Sequence, residues 1–261
     1  MKKTILFLVV GVLAMSSTTL LAADLWFSGA AADELYTTAD NWWPFDDDGD
    51  PCTPDITRAP VDGDNVGHDA AAATMLIEFP MILNPAQLMI GDWGPGPNGV
   101  ATMRMTGGIV NVTGDFGMGM KPYEDWGNPD WANYGNGRVN LEGGNLTVGG
   151  NLIVGEQGIG QLNLIGGVLQ AEALLMGIVD PDIALNGFGD YDNLLNITDG
   201  KMILAGNIST LDPRVIAFGG TGSLVFGYED DLAGYTSITA EIPEPITLTL
   251  LGLGCLFVRK R

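Results

Sequence analysis

The sequence predicts an all-β protein whose body is a parallel β-solenoid (β-helix). Four ten-residue segments superimpose without a gap around a central Gly-Gly or Asp-Gly pair. Apolar and polar residues alternate on both sides of that pair, as in strands with one buried face. Residues at each offset are alike between segments, which suits stacking of equal positions about 4.8 Å apart. The 23-residue spacing between Gly143 and Gly166 fits one coil of three strands.

The repeats predict a specific core. Apolar residues lie two and four positions before the first residue of the pair, and three and five positions after it. The segments are MRMTGGIVNV (103–112), VNLEGGNLTV (139–148), LNLIGGVLQA (162–171) and LNITDGKMIL (195–204). A third strand is expected at 115–119 and at 151–155. Weaker copies at 75–91 and 215–227 bring the total to roughly six or seven coils within a repeat domain of residues 71–235.

One alternative fold uses the same strands. If the Gly-Gly and Asp-Gly pairs are tight hairpin turns, neighbouring strands pair with each other and form an antiparallel sandwich. The alikeness of equal offsets favours the solenoid over this arrangement. The longer spacings between other repeats come from insertions at 121–135 and 179–192, which are expected to be surface loops.

The first 23 residues have the pattern of a secretory signal peptide. Two lysines precede an apolar stretch from Ile5 to Met15, and small residues precede Asp24. Cleavage is expected near Ala22 or Ala23. The alternative is an N-terminal anchor that stays on the protein.

Residues 24–70 are expected to cap the repeats. This segment carries Trp26, Trp42, Trp43 and Phe45, and aromatic side chains there would cover the open end of the core. Its pattern LWFSG…TTADNWW…APVDGDNV resembles the opening of many secreted bacterial β-solenoid proteins, including autotransporter-like ones. That resemblance implies a Trp-rich first turn that closes the solenoid.

An acidic loop in this segment is the candidate metal site. Asp46, Asp48 and Asp50 stand at alternate positions and could converge on Ca²⁺, as at the start of an EF-hand loop. The strict motif fails, because glycine is at the fourth position and Thr57 at the twelfth. A solvated loop without an ion is the alternative, and no other cofactor is expected.

The insertion at 121–135 is the candidate glycan-binding loop. It holds Tyr123, Trp126, Trp131 and Tyr134 beside several carboxylates. Exposed aromatic rings can stack on sugar faces, which predicts an extracellular polysaccharide as a partner. Alternatively, these rings pack onto the flank of the repeats.

The last 26 residues (236–261) are expected to be a sorting signal that directs the protein to its location. Pro243-Glu244-Pro245 precedes 13 mostly apolar residues (246–258), and the chain then ends in Arg259-Lys260-Arg261. A helix of 13 residues spans about 20 Å, and the terminal basic residues can snorkel to cover the shortfall in a membrane. The three parts in this order resemble the PEP-CTERM sorting signal of Gram-negative and planctomycete-type bacteria. The resemblance implies a transmembrane sorting helix, cleavage at Pro-Glu-Pro by an exosortase-type protease of the inner membrane, and transfer to the cell surface or extracellular matrix. A plain tail anchor is the alternative.

Charge and residue usage exclude several classes of function. The chain has 32 acidic and 11 basic residues, and its net charge of −21 would repel nucleic acid. A single histidine, His68, and two cysteines, Cys52 and Cys255, leave neither a credible catalytic triad nor a zinc ligand set. The predicted function is therefore that of a secreted, non-catalytic surface or matrix protein. A polysaccharide-binding module, with Ca²⁺ as a structural ion, is the alternative, followed by a carboxylate-based polysaccharide lyase or hydrolase.

Overall fold

The computed structural model describes residues 23–31, 33–44, 58–68, 73–91, 100–120, 135–156, 158–177, 193–228 and 234–242. The regular secondary structure of these residues is almost entirely β-strand, as the sequence predicts, with turns and loops between the strands and short 3-10 helices at Ala39–Asn41 and Phe218–Gly220. The strands are β1 (Asp24–Phe27), β2 (Trp42–Pro44), β3 (Asn65–His68), β4 (Thr74–Ile77), β5 (Ile82–Leu83), β6 (Gln87–Ile90), β7 (Ala101–Met105), β8 (Ile109–Val112), β9 (Phe116–Met118), β10 (Asn136–Leu141), β11 (Asn145–Val154), β12 (Ile159–Leu164), β13 (Val168–Met176), β14 (Leu194–Ile197), β15 (Lys201–Ala205), β16 (Val215–Ala217), β17 (Ser223–Tyr228) and β18 (Tyr235–Glu241). Within these ranges no helix has the length and hydrophobicity that a membrane crossing requires.

The strands form two sheets, and the chain crosses from one to the other at each glycine pair. The smaller sheet has the order β16-β14-β12-β10-β7-β4, and all of its pairs are parallel. The larger sheet has the order β17-β18-β15-β13-β11-β9-β6-β3-β1-β2, and β8 joins it by pairing with β11 and β5. The strands on either side of a pair, such as β7 and β8, therefore do not pair with each other. The antiparallel hairpin alternative is wrong for these repeats.

Equal positions of successive repeats stand side by side. Met103 pairs with Val139, Val139 with Leu162, and Leu162 with Leu195. All sixteen apolar positions predicted from the repeat are buried, at 2% exposure or less. The predicted third strands are also present, as β9 and as the second half of β11, and the third repeat adds another at Ala173–Met176.

The two glycines of a pair serve different purposes. The second lies in the left-handed region, with φ of 84° at Gly144 and 73° at Gly167, where a side chain would be strained. The first lies against the previous repeat: a Cβ on Gly166 would be 2.4 Å from the carbonyl oxygen of Glu142. The fourth repeat differs, because Gly200 is outside the left-handed region.

The two weaker copies of the repeat that the sequence predicts agree with the observed strand pairing to different degrees. The copy at 75–91 stacks in register on the first repeat, since β4, β5 and β6 pair in parallel with β7, β8 and β9. For the copy at 215–227, the predicted stacking is correct for the first strand only. Its first strand, β16, stacks in parallel on β14, but β17 pairs antiparallel with β18, and β18 lies antiparallel against β15. Ile238 of β18 is fully buried, so the sheet continues to Glu241 with its own core contact.

The N-terminal segment packs against the first repeats. β1 pairs in parallel with β3 and antiparallel with β2. Trp42 is completely buried, its ring edge faces Phe27 and Tyr36, and its indole N–H donates to the Tyr36 carbonyl at 2.7 Å. Trp43, by contrast, is 48% exposed. One aromatic side chain of the Trp-Trp pair is therefore core, and its neighbour faces the outside.

Candidate functional site

The predicted site residues lie outside the described parts of the chain. This applies to the acidic loop with Asp46, Asp48 and Asp50, to the aromatic insertion with Tyr123, Trp126, Trp131 and Tyr134, and to the sorting residues Pro243, Glu244, Pro245, Arg259, Lys260 and Arg261. In the ranges that the structure covers, no group of three or more His, Cys, Asp or Glu side chains is arranged to hold a metal ion. The calcium, glycan and sorting sites remain predictions.

The outer face of the smaller sheet carries a surface that the sequence analysis did not single out. We call it the polar face, and it is formed by Thr102, Arg104, Arg138, Asn140, Gln161, Asn163 and Asn196. Two rows run across the strands. In one row Thr102, Arg138 and Gln161 are neighbours, and in the other Arg104, Asn140, Asn163 and Asn196 follow one another.

Hydrogen bonds between repeats hold these rows in place. Arg138 Nε donates to Gln161 Oε1 at 3.0 Å, and Asn163 Nδ2 donates to Asn140 Oδ1 at 2.9 Å. Asn196 Oδ1 accepts from the backbone N–H of Gly219 at 2.9 Å. Two of these bonds join neighbouring strands and the third reaches the 3-10 helix after β16, so they hold the amide and guanidinium groups on the outer face.

One ion pair borders the polar face. Arg104 Nε and Nη2 donate to the two carboxylate oxygens of Glu142, both at 2.8 Å, in a bidentate arrangement. These hydrogen bonds hold the pKa of Glu142 below its ordinary value. Both partners are partly exposed, so the pair orients the guanidinium more than it stabilises the fold.

The chemistry of the polar face is that of a binding surface. Amides, a hydroxyl and two guanidinium groups can donate to and accept from hydroxyl or carboxylate groups of a ligand. A repeat-by-repeat comparison could have found it, because these residues stand three and five positions before the first residue of each central pair. Their alternation with the core residues places them on the outer face.

His68 lies in the core rather than at a surface site. It is fully buried, its Nε2–H donates to the Thr102 carbonyl at 3.0 Å, and its ring edge faces Phe27 with centroids 4.9 Å apart. Nδ1 has no hydrogen-bond partner. Burial lowers the pKa of His68 to about 4, although the hydrogen bond to Thr102 acts in the opposite direction. At neutral pH the ring is therefore uncharged and packs as an aromatic side chain.

Asp64, before β3, is a buried carboxylate next to the N-terminal strands. Its carboxylate is fully buried and accepts hydrogen bonds from Arg58 and from the backbone N–H groups of Val61 and Ala23. Burial alone would raise the pKa of Asp64, but these hydrogen bonds lower it below its ordinary value. The sequence analysis gave this residue no role.

No protein family model, no curated protein and no solved structure matches this chain.

Proposed function

We propose that the protein is a secreted, non-catalytic β-solenoid of the cell surface or extracellular matrix, sorted and cleaved at its C-terminal Pro-Glu-Pro signal. The observation that carries the scaffold part is the parallel, in-register pairing of equal positions between successive repeats. Such stacking builds an elongated body in which each repeat buries its neighbour. The packed rings of Phe27, Tyr36 and Trp42 would cap one end of this body, and the antiparallel strands β17 and β18 would close the other end.

The sorting part of the proposal is supported by the order of features at the C-terminus. Pro243-Glu244-Pro245, the apolar residues and the terminal basic residues have the arrangement of the PEP-CTERM signal. An exosortase-type protease would be the first partner of the protein, and the apolar residues would hold it in the inner membrane before processing.

Fractionation and intact mass in a host with its own sorting machinery test this proposal. We expect a released species that lacks the residues after Pro-Glu-Pro. The combined change Pro243→Ala, Glu244→Ala and Pro245→Ala should keep the protein full length in the inner membrane, whereas Pro213→Ala should be processed normally. A wild-type protein that stays full length in the inner membrane would contradict sorting and indicate a tail anchor.

Polysaccharide binding is the second candidate, because the polar face adds outward amide and guanidinium groups to the aromatic insertion. A glycan array compares the wild type with Trp126→Ala/Trp131→Ala and with Arg138→Ala/Gln161→Ala. Gln170→Ala is the matched control, since it removes an amide from a strand of the larger sheet. Loss of glycan retention in one pair of variants locates the binding surface. Equal retention in all variants, or no retention by the wild type, contradicts this candidate.

A further inference from the structure

The backbone nitrogen of Ala23 points at a buried carboxylate. It lies 3.0 Å from Asp64 Oδ1, and the Asp64 side chain has no exposed surface. The same oxygen accepts from Arg58 Nη2 at 3.0 Å, and Oδ2 accepts from Arg58 Nη1 and from the Val61 N–H. Donors from three directions thus converge on one carboxylate, and Ala23 supplies one of them.

Ala23 is built into the sheet as well. The backbone N–H of Asn65 donates to the Ala23 carbonyl at 3.0 Å, which extends the parallel pairing of β1 with β3 by one residue. The Ala23 side chain packs against the core. A chain that began at Asp24 would leave Asn65 N–H without this acceptor and Asp64 with one donor fewer.

The charges around Ala23 favour a cation there. Asp24 follows Ala23 directly, Asp62 precedes Asp64 by two residues, and Arg58 is the cation that pairs with Asp64. Asp24 accepts from Asn65 Nδ2, and Asp62 accepts from Asn84 Nδ2, so both carboxylates bind neutral amides. An ammonium group at the Ala23 nitrogen would offset this excess of negative charge and turn a neutral hydrogen bond into a charge-assisted one.

We propose that the exported protein begins at Ala23 and that its new α-ammonium group binds the Asp64 carboxylate beside Arg58. Hydrolysis of the peptide bond between Ala22 and Ala23 adds the elements of water. The Ala22 carbonyl carbon gains the hydroxyl and becomes a carboxylate, and the Ala23 nitrogen takes up protons and becomes the ammonium. The proposal rests on the export step of the proposed function. It selects one of the two cleavage positions that the sequence allows.

The N-terminus of the exported protein tests the cleavage position. The full-length gene is expressed in a host that exports it, the protein is purified from the exported fraction, and its first peptide is sequenced by mass spectrometry. We expect Ala23 as the first residue. A start at Asp24 or elsewhere in exported protein overturns the inference and leaves export intact. Protein that keeps Met1 and stays in the cytoplasm contradicts export itself.

Amine labelling of the purified exported protein tests the ion pair. A carboxylate partner keeps the α-amine protonated, so reductive methylation at neutral pH should be roughly tenfold slower in the folded protein than in denaturant, as a rise of one pKa unit would produce. Asp64→Asn should abolish most of this protection, and Asp62→Asn, which changes the neighbouring carboxylate, should keep it. Equal labelling rates in folded and denatured wild type would overturn the ion pair. That comparison does not depend on whether Asp64→Asn folds.

Discussion

His68 shows at the scale of a single residue how burial changes the behaviour of a titratable group. Its ring is fully buried, packs against Phe27 and donates to the backbone of β7. An imidazolium at this place would be desolvated, and this cost outweighs the backbone hydrogen bonds that favour the charged form. The neutral ring therefore belongs to the folded state, and protonation favours unfolding.

This leads to a pH-dependent stability. The pKa of His68 is about 4 in the folded chain and about 6.5 when unfolded, so the unfolded state binds more protons between these values. Stability contributed by His68 is complete above about pH 6.5 and is lost as the pH falls, by at most about 1.4 kcal/mol per pH unit. Urea unfolding at about pH 7, 6 and 5 should show a falling midpoint in the wild type and a smaller fall in His68→Phe. The same slope in both proteins would contradict this role.

Gly144 and Gly206 allow two requirements for glycine to be distinguished, a positive φ and a close approach of another backbone. Both have a positive φ, 84° and 95°, but a Cβ on Gly144 would lie 2.5 Å from the Gly108 carbonyl oxygen, whereas a Cβ on Gly206 meets nothing within 4 Å. Gly206→Ala should cost about 1–2 kcal/mol from backbone strain alone. Gly144→Ala should cost clearly more, because the stacked turns must also separate. Denaturant unfolding of both variants measures the difference. Equal losses would mean that close stacking of the turns contributes nothing.

At the scale of elements, each strand of the repeats has an inner and an outer row with different tasks. The inner rows of Leu, Val, Met and Ile are buried between the two sheets. The outer rows of β7, β10 and β12 are polar and carry the Asn140–Asn163 and Arg138–Gln161 hydrogen bonds. Pairing in register aligns both rows at once, since a shift by one residue would exchange them.

A pair of leucine variants measures the contribution of the inner row. Leu162 in β12 is fully buried, and Leu175 in β13 is 47% exposed. Leu162→Ala should lower the free energy of unfolding by about 2–5 kcal/mol, the usual range for a buried leucine. Leu175→Ala should change it by less than about 1 kcal/mol, because little buried surface is lost. Chemical denaturation of both variants checks this, and similar losses would contradict the assignment of inner and outer rows.

Trp42 and Trp43 allow the same comparison of a buried with an exposed side chain in the N-terminal segment. Trp42→Ala removes a buried ring and its hydrogen bond to the Tyr36 carbonyl, so we expect a loss of about 3–5 kcal/mol. Trp43→Ala serves as the control because that ring is half exposed. Thermal unfolding should show a large decrease in Tm for Trp42→Ala only. A stable Trp42→Ala variant would mean that the N-terminal segment does not protect the end of the repeats.

For the whole molecule, the dominant electrostatic feature is a net charge of −21. In the described part of the chain, ion pairs join Arg58 to Asp64, Arg104 to Glu142 and Arg214 to Asp212. The whole sequence has only 11 basic residues for 32 acidic ones, so most carboxylates have no basic residue to neutralise them. Folding brings the remaining carboxylates closer together, and their mutual repulsion opposes the compact state.

Salt should therefore stabilise the protein. Raising NaCl from about 10 mM to about 150 mM shortens the Debye length from about 30 Å to about 8 Å and screens repulsion between carboxylates. We expect Tm to rise over this range at pH 7. A Tm that is unchanged or lower at the higher salt concentration would show that local ion pairs outweigh the repulsion.

Much of the fold follows from local patterns. Alternation around the glycine pairs identifies β7, β8, β10 to β15 and their buried residues, because a strand exposes successive side chains on opposite faces. The spacing of the weaker copy also locates β4 to β6. These patterns do not test the predicted functional residues, since none of those residues lies in a described strand.

The sequence by itself determined which segments of the repeats are strands and which face of each is apolar, because both depend on neighbours within a few residues. Only the tertiary structure decided that the glycine pairs connect two sheets, that β18 meets β15 antiparallel, and that His68 and Asp64 are buried. A glycine pair allows a hairpin and a crossover equally well. The choice between them depends on hydrogen bonds and packing with strands of other repeats, which local alternation does not specify.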